Sequence, residues 1–210
     1  MNGTKLILLD TAEILFADFG YASTSHRDIT ARANVNLASV NYHFGTKLNL
    51  LRAVFARRFE PVNRERLEGL DAVKDGDVEQ ILTAFFLPLF TRFREPDPGW
   101  STFMSLVGRT YSDTNEEIRN CLFEQVKEVG TRFSEVLENA LPELPPNELS
   151  LRIHFVVGAM AHTFAFCRHR NMPLVRDLPD PESILSNLGV FATAGLRASG
   201  NTFLPVSKTQ

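Results

Sequence analysis

The stretch FADFGYASTSHRDITARANVNLASVNYHFGTKLNLLRAVF, Phe16 to Phe55, decides how the rest of the chain is read. It ends a first apolar-periodic helix, with Leu8, Ala12, Leu15, Phe16 and Phe19 on one face, at Gly20, a residue suited to a left-handed helix terminus. Thr24 or Ser25 then offers a hydroxyl cap for a short helix through Ala33. The turn Asn34-Val35-Asn36 leads into a second short helix, Leu37 to His43, and Thr46 caps a longer helix beginning at Lys47. Two short helices joined by a three-residue turn predict a helix-turn-helix. At 100° per residue, Leu37, Val40 and Phe44 fall within about 60° of one another and are expected to plug the second helix onto the core beside Ile29, Ala33 and Val35. The opposite face shows Ala38, Ser39 and Tyr42, flanked by Asn41 and His43, small or hydrogen-bonding groups suited to a major groove.

Outward from this stretch the periodicity stays helical, and no alternating run reads as a strand. The expected fold is all-α. Pro61 is expected to kink or end the fourth helix. The polar segment Asp71 to Asp77 reads as the connector to a larger body, with helices near 77–95, 100–111, 114–141, 147–170 and 181–199. Residues 201–210 read as a disordered tail.

The 210 residues are 44% hydrophobic and 22% charged, the composition of an ordinary globular protein of one or two domains. Residues 1–66 carry nine Lys/Arg and six Asp/Glu, while the whole chain has a net charge of -3. A basic head on an acidic body admits an anionic partner at one end only. Cys121 and Cys167 have neither zinc-ligand nor disulfide-framework spacing, which fits a reducing, cytoplasmic setting. No segment reads as a secretion signal or membrane span, so no membrane partner is expected. His154, His162 and His169 recur on a helical period, yet no carboxylate or Cys completes a cluster; no metal or other cofactor is expected. A phosphate loop, a GxSxG or HExxH motif and a paired-acid site are all missing, which argues against an enzyme.

The motifs G-Y-x-x-T-S-x-R-D-I at Gly20–Ile29 and Y-H-F-x-[ST]-K-x-x-L at Tyr42–Leu50 resemble the DNA-binding head of the TetR family of transcriptional repressors. The resemblance implies residues 1–50 as a helix-turn-helix head, residues 51–200 as a helical ligand-binding and dimerisation domain, and a homodimer on double-stranded, palindromic operator DNA. It places Thr24, Ser25 and Arg27 at or near phosphates. Asn36, Leu37, Ala38, Ser39 and Asn41 fall at the start and along the face of the reading helix, where the family reads bases, and Tyr42, His43 and Lys47 where it grips the backbone. Lys47 opens a helix whose terminal amides already favour a phosphate. Three residues depart from the family pattern: Asn34 for the turn glycine, tolerable because Asn adopts the left-handed conformation; Thr30 for a small residue between the two helices; and Asn41 for the commonest Tyr.

The body concentrates phenylalanine, and a break at Pro96-Asp97-Pro98-Gly99 precedes Trp100. Such a stripe serves as packed core or as the wall of an apolar cavity. Phe86, Phe93, Trp100, Phe103, Met104, Val107, Phe123 and Phe155 are the candidate lining. Arg109, Tyr111, Arg119, Arg152 and His154 are candidate donors at its mouth. The stretches FMSLVGRTYSDTNEEIRNCL and LPELPPNELSLRIHFVVGAMAH are similar to a fatty-acid-responsive, PsrA-like subgroup of the same family, which implies a fatty acid or acyl-CoA as the effector. Small residues on the last two helices, Gly158, Ala161, Gly189 and Ala192 among them, suit a four-helix dimer interface. A helical lipid carrier that never touches DNA is the alternative reading.

Overall fold

The computed structural model describes residues 3–74, 76–94, 99–167 and 180–199, with the side chains of 93, 94, 164–167 and 181 outside the description. Phe93, His169 and the 201–210 tail therefore lie outside the described residues. What is described is helical throughout: α1 (Gly3–Phe19), α2 (His26–Ala33), α3 (Ala38–Phe44), α4 (Lys47–Ala72), α5 (Val78–Arg94), α6 (Gly99–Tyr111), α7 (Glu116–Ala140), α8 (Pro146–Cys167) and α9 (Pro181–Arg197). None of these helices is long and apolar enough to cross a membrane.

Local chemistry sets the boundaries in the head. Gly20 has φ 83°, and its amide closes α1 on the Phe16 carbonyl. Ser25 and Asp28 form a reciprocal capping box on α2, with Ser25 Oγ accepting from the Asp28 amide and the Asp28 carboxylate accepting from the Ser25 amide. The Ser25 hydroxyl, which donates to Asp28 Oδ2 at 2.7 Å, and the Ser25 amide hold the Asp28 carboxyl below its usual range. Asn34 ends α2 at φ 52°, ψ 48°, the left-handed conformation expected of it. Thr46 caps α4 by accepting from the Asn49 amide at 3.1 Å.

One expectation fails, at Leu37. Of the kink or end expected at Pro61, the end does not occur: α4 runs for 26 residues through this proline. Its missing N–H removes one backbone hydrogen bond, whereas Phe59 and Val62 on either side are buried against the bundle and hold the rod together. Leu37 does not plug α3 onto the core. It lies just before the first turn and is 46% exposed, while Val40 and Phe44 alone carry that packing.

The head rests on α1, which touches α2, α3, α4 and α6; α4 in turn packs on α5 and α7, and α6 on α8. One ion-pair cluster fastens α1 to α4. Glu13, 2% exposed, accepts from Arg57 Nη2 at 2.8 Å and from Arg58 Nη2 at 2.7 Å, and Arg57 reaches Asp10 as well. Removing this buried carboxylate takes from Arg57 and Arg58 the partner they share, with Asp10 still beside Arg57. Glu13→Ala should therefore cost about 3 kcal/mol, roughly 10 °C in Tm, whereas Glu124→Ala, which breaks an exposed pair with Arg52, should cost under about 1 kcal/mol. Thermal unfolding followed by circular dichroism measures both; equal losses would show that the cluster is not the fastening.

Candidate DNA-binding face and ligand cavity

The exposed side of α3 gathers most of the residues expected to meet DNA. Asn36, Leu37, Ala38, Asn41 and Tyr42 are exposed, Tyr42 by 83%, with Ser39 and His43 half-buried beside them. Asn36 Oδ1 accepts from the Ala38 amide at 2.8 Å and so starts the helix in place of a cap from Leu37. Tyr42 and His43 meet edge to face at 4.9 Å, which orients both rings along the same rim. Ser25 and Arg27 are exposed at the start of α2.

Thr24 takes a different part from the one expected. It is 1% exposed, and its hydroxyl donates inward to the Gly20 carbonyl at 2.8 Å and the Leu15 carbonyl at 3.3 Å. Its side chain locks the α1–α2 turn instead of facing a phosphate. Lys47 shares in that lock: Nζ donates to the Tyr21 and Thr24 carbonyls, each at 2.8 Å, and stands 4.0 Å over the Tyr21 ring. Burial pulls the Lys47 ammonium below its usual range, with Asp28 opposing that shift. An ammonium has three donors, so one remains for an anion after both carbonyls are served. The same lysine therefore shapes the loop on which the exposed face depends.

A cavity of about 400 Å³ lies in the body, walled by α4, α5, α6, α7 and α8. Met104, Val107 and Phe123 line it as expected, and so do Tyr111 and His154. The other described candidates do not. Trp100 and Phe103 are buried in the core, the indole N–H donating to the Leu89 carbonyl at 3.1 Å and the Phe103 ring packing on Phe55 and Phe59. Phe86 faces a separate groove toward α9, and Phe155 is 62% exposed. Arg109 sits at the head, where a Cβ on Gly20 would come within 2.9 Å of its Nη1. Arg119 donates to the Asp113 carbonyl, and Arg152 donates to the Gly195, Leu196 and Ala198 carbonyls at the end of α9. Neither lines the cavity.

The polar wall residue that the sequence reading missed is Arg66. It stands in the register Phe55, Phe59, Val62, Arg66, Leu70, a cation within an apolar stripe at helical spacing, and that interruption was the signal available. Among the described residues no group of His, Cys, Asp and Glu is arranged to hold a metal, and Cys121 is a buried free thiol. Burial raises its thiol above the usual range.

An exposed two-helix unit mounted on a helical body is the build of a helix-turn-helix regulator. Residues 8–54 match the family described as bacterial regulatory proteins, tetR family, and residues 83–195 match the tetracyclin repressor-like C-terminal domain; the chain belongs to the TetR family and is a regulator, not an enzyme. The HTH-type transcriptional repressor Rv3405c of Mycobacterium tuberculosis and the regulator Mb3439c of Mycobacterium bovis are each 53% identical over 47 residues, 22% of this chain. The match spans about a quarter (25%) of those relatives' own length. Among solved structures, the fatty acid degradation regulator FadR of Bacillus halodurans has a TM-score of 0.70 at 17% identity, covering 94% of this chain and 98% of that one. FadR of Bacillus subtilis in complex with stearoyl-CoA has a TM-score of 0.66 at 16% identity, covering 90% and 98%. These likenesses establish a common fold.

Gly130 gives a direct test of the cavity. It lies on its wall within α7, and a Cβ there meets nothing within 4 Å. Gly130→Ala should stabilise the protein by about 0.5–1 kcal/mol, because a helix-interior glycine is replaced at no steric cost. Gly130→Met should fill the cavity and lower its affinity for any apolar ligand while keeping the fold. Thermal shifts and titration with a fluorescent apolar probe read the two effects; a probe that binds Gly130→Met as well as the parent protein would mean the cavity is not its site.

Proposed function

We propose that this protein is a PsrA-like, dimeric, cytoplasmic repressor that occupies a palindromic operator and is released by a long-chain fatty acid or its CoA ester. The observation that carries the proposal is the apolar cavity of about 400 Å³ against α4, the helix that begins beneath the DNA-facing surface. Its size falls in the range of small-molecule sites. Each buried methylene of an acyl chain is worth about 0.8 kcal/mol, so chain length sets affinity until the cavity is full. The fold shared with a fatty acid degradation regulator and with a FadR in complex with stearoyl-CoA supports the same class of effector.

In this reading α3 enters the major groove, with Asn36, Leu37, Ala38, Ser39 and Asn41 toward bases. Ser25, Arg27, Tyr42, His43 and the remaining Lys47 donor face phosphates. Leu151 and Phe155 on α8 and Val190 and Phe191 on α9 are 56–70% exposed, an apolar face that a second copy covers. Dimerisation places two reading helices on half-sites one helical turn, about 34 Å, or a multiple of it apart. A lipid carrier explains the cavity but leaves the exposed face of α3 without a use.

The test is a gel shift against the DNA upstream of the protein's own gene, with and without C4 to C18 acids and their CoA esters. Retarded DNA that is freed by long but not short chains is the expected result; DNA that never shifts overturns the reading. Arg27→Ala should reduce binding to all sequences alike and lower the salt slope by about one unit, while Asn41→Ala should alter base preference.

A further inference from the structure

Arg66 is a buried cation with an incomplete set of partners. It is 2% exposed, on α4 between Val62 and Leu70. Its Nε donates to the Phe85 carbonyl at 2.7 Å and its guanidinium lies 4.2 Å over the Phe85 ring. Its Nη2 is buried with no hydrogen-bond partner, and no carboxylate of the described residues faces it. Burial alone pulls its pKa down to about 9. A guanidinium remains protonated at neutral pH even so, and one carbonyl and one aromatic face compensate only part of its desolvation. The arginine lines the cavity, and of the described wall residues it alone is Arg, Lys, Asp or Glu. An apolar chamber with one unsatisfied cation in its wall is chemically the complement of an apolar anion.

We infer that the effector is a free monocarboxylic acid that enters carboxylate first and is held by Arg66, with its hydrocarbon tail against Met104, Val107, Phe123 and Ile153. This deepens the reading of the protein as an acyl-responsive regulator, on which it rests, and chooses the free acid over the thioester. The carboxylate supplies the counter-charge and the acceptor that Nη2 lacks, a charge-assisted contact in a largely apolar pocket. A thioester carbonyl brings no charge, and an acyl-CoA inserted tail first leaves Arg66 facing methylenes. A cavity of about 400 Å³ holds the volume of about 13 waters, each ~30 Å³, and so an acid of roughly a dozen heavy atoms. The bulk of a coenzyme headgroup exceeds that many times over.

Calorimetry on the full chain with dodecanoate, methyl dodecanoate and dodecanoyl-CoA tests the inference, alongside release of operator DNA by the same three. The parent protein should bind dodecanoate about 10- to 100-fold more tightly than the methyl ester, the range for a hydrogen bond to a charged group. Arg66→Met should abolish that preference, binding acid and ester alike, while its Tm without ligand is unchanged or raised because an unpaired buried charge has gone. Arg66→Lys should keep part of the preference. Equal binding of acid and ester by the parent protein overturns the inference without recourse to any variant, as does a preference that survives in Arg66→Met. If dodecanoyl-CoA releases the operator and dodecanoate does not, the acyl-responsive reading stands and the carboxylate-first orientation falls. If none of the three binds, the inference falls, and the gel shift with C4 to C18 chains decides the acyl-responsive reading by itself.

Discussion

The carboxylate of Glu13, enclosed by Arg57 and Arg58, is the interaction on which the arrangement of head and body depends. It pins α1, the floor of the DNA-facing unit, to the middle of α4. That helix is 26 residues long, about 39 Å at 1.5 Å per residue. Lys47 at its first turn holds the α1–α2 loop, Arg57 and Arg58 hold α1 itself, and Arg66 lies in the cavity wall. One rod thus touches both places where a partner is proposed. A second route runs through α6, whose Met104 and Val107 line the cavity and whose Arg109 lies against Gly20 at the end of α1.

This connection gives the coupling a physical form. A ligand changes DNA affinity only to the extent that it binds differently to the DNA-competent and released shapes of the body. In the proposed function, a ligand filling the space among α4, α6, α7 and α8 biases how those helices pack, with the Glu13 cluster and the Gly20–Arg109 contact as the links to α1. The Arg52–Glu124 and Arg132–Asp71 pairs tie α4 to α7 as well, but they are exposed and contribute less. Closely packed helices pass such a displacement on because the interior does not deform continuously.

What was legible in the sequence was local. The stop at Gly20, the caps at Ser25 and Thr46 and the left-handed Asn34 each depend on one residue's own chemistry within a few positions, and the motifs around them carried the family. The misreadings all concern which side of a residue faces what. Leu37 sits on the apolar arc of a helical wheel, yet it precedes the first turn and faces out. Thr24 carries a hydroxyl suited to a phosphate and spends it on two carbonyls. Trp100 and Phe103 have the composition of a cavity wall and are the core behind one. Pro61 is a helix breaker by its own covalent geometry, and burial of its neighbours overrides it. Arg66 was passed over because a cation reads as surface unless its register is counted against Phe59, Val62 and Leu70, and only the packed structure shows that its Nη2 goes unpaired.

In the proposed function the DNA-facing unit and the cavity are two ends of one mechanical connection. The most direct measurement is calorimetric titration of the protein with dodecanoate, free and saturated with operator DNA, beside titration of the operator with and without the acid. Linkage requires the acid to weaken DNA binding and the DNA to weaken acid binding by the same factor, and typical coupling energies of about 1–3 kcal/mol put that factor near 5- to 150-fold. The account predicts two equal factors within that range. Acid affinity that is the same with and without operator would contradict it, because the cavity and the DNA-binding face would then be independent sites on a shared scaffold.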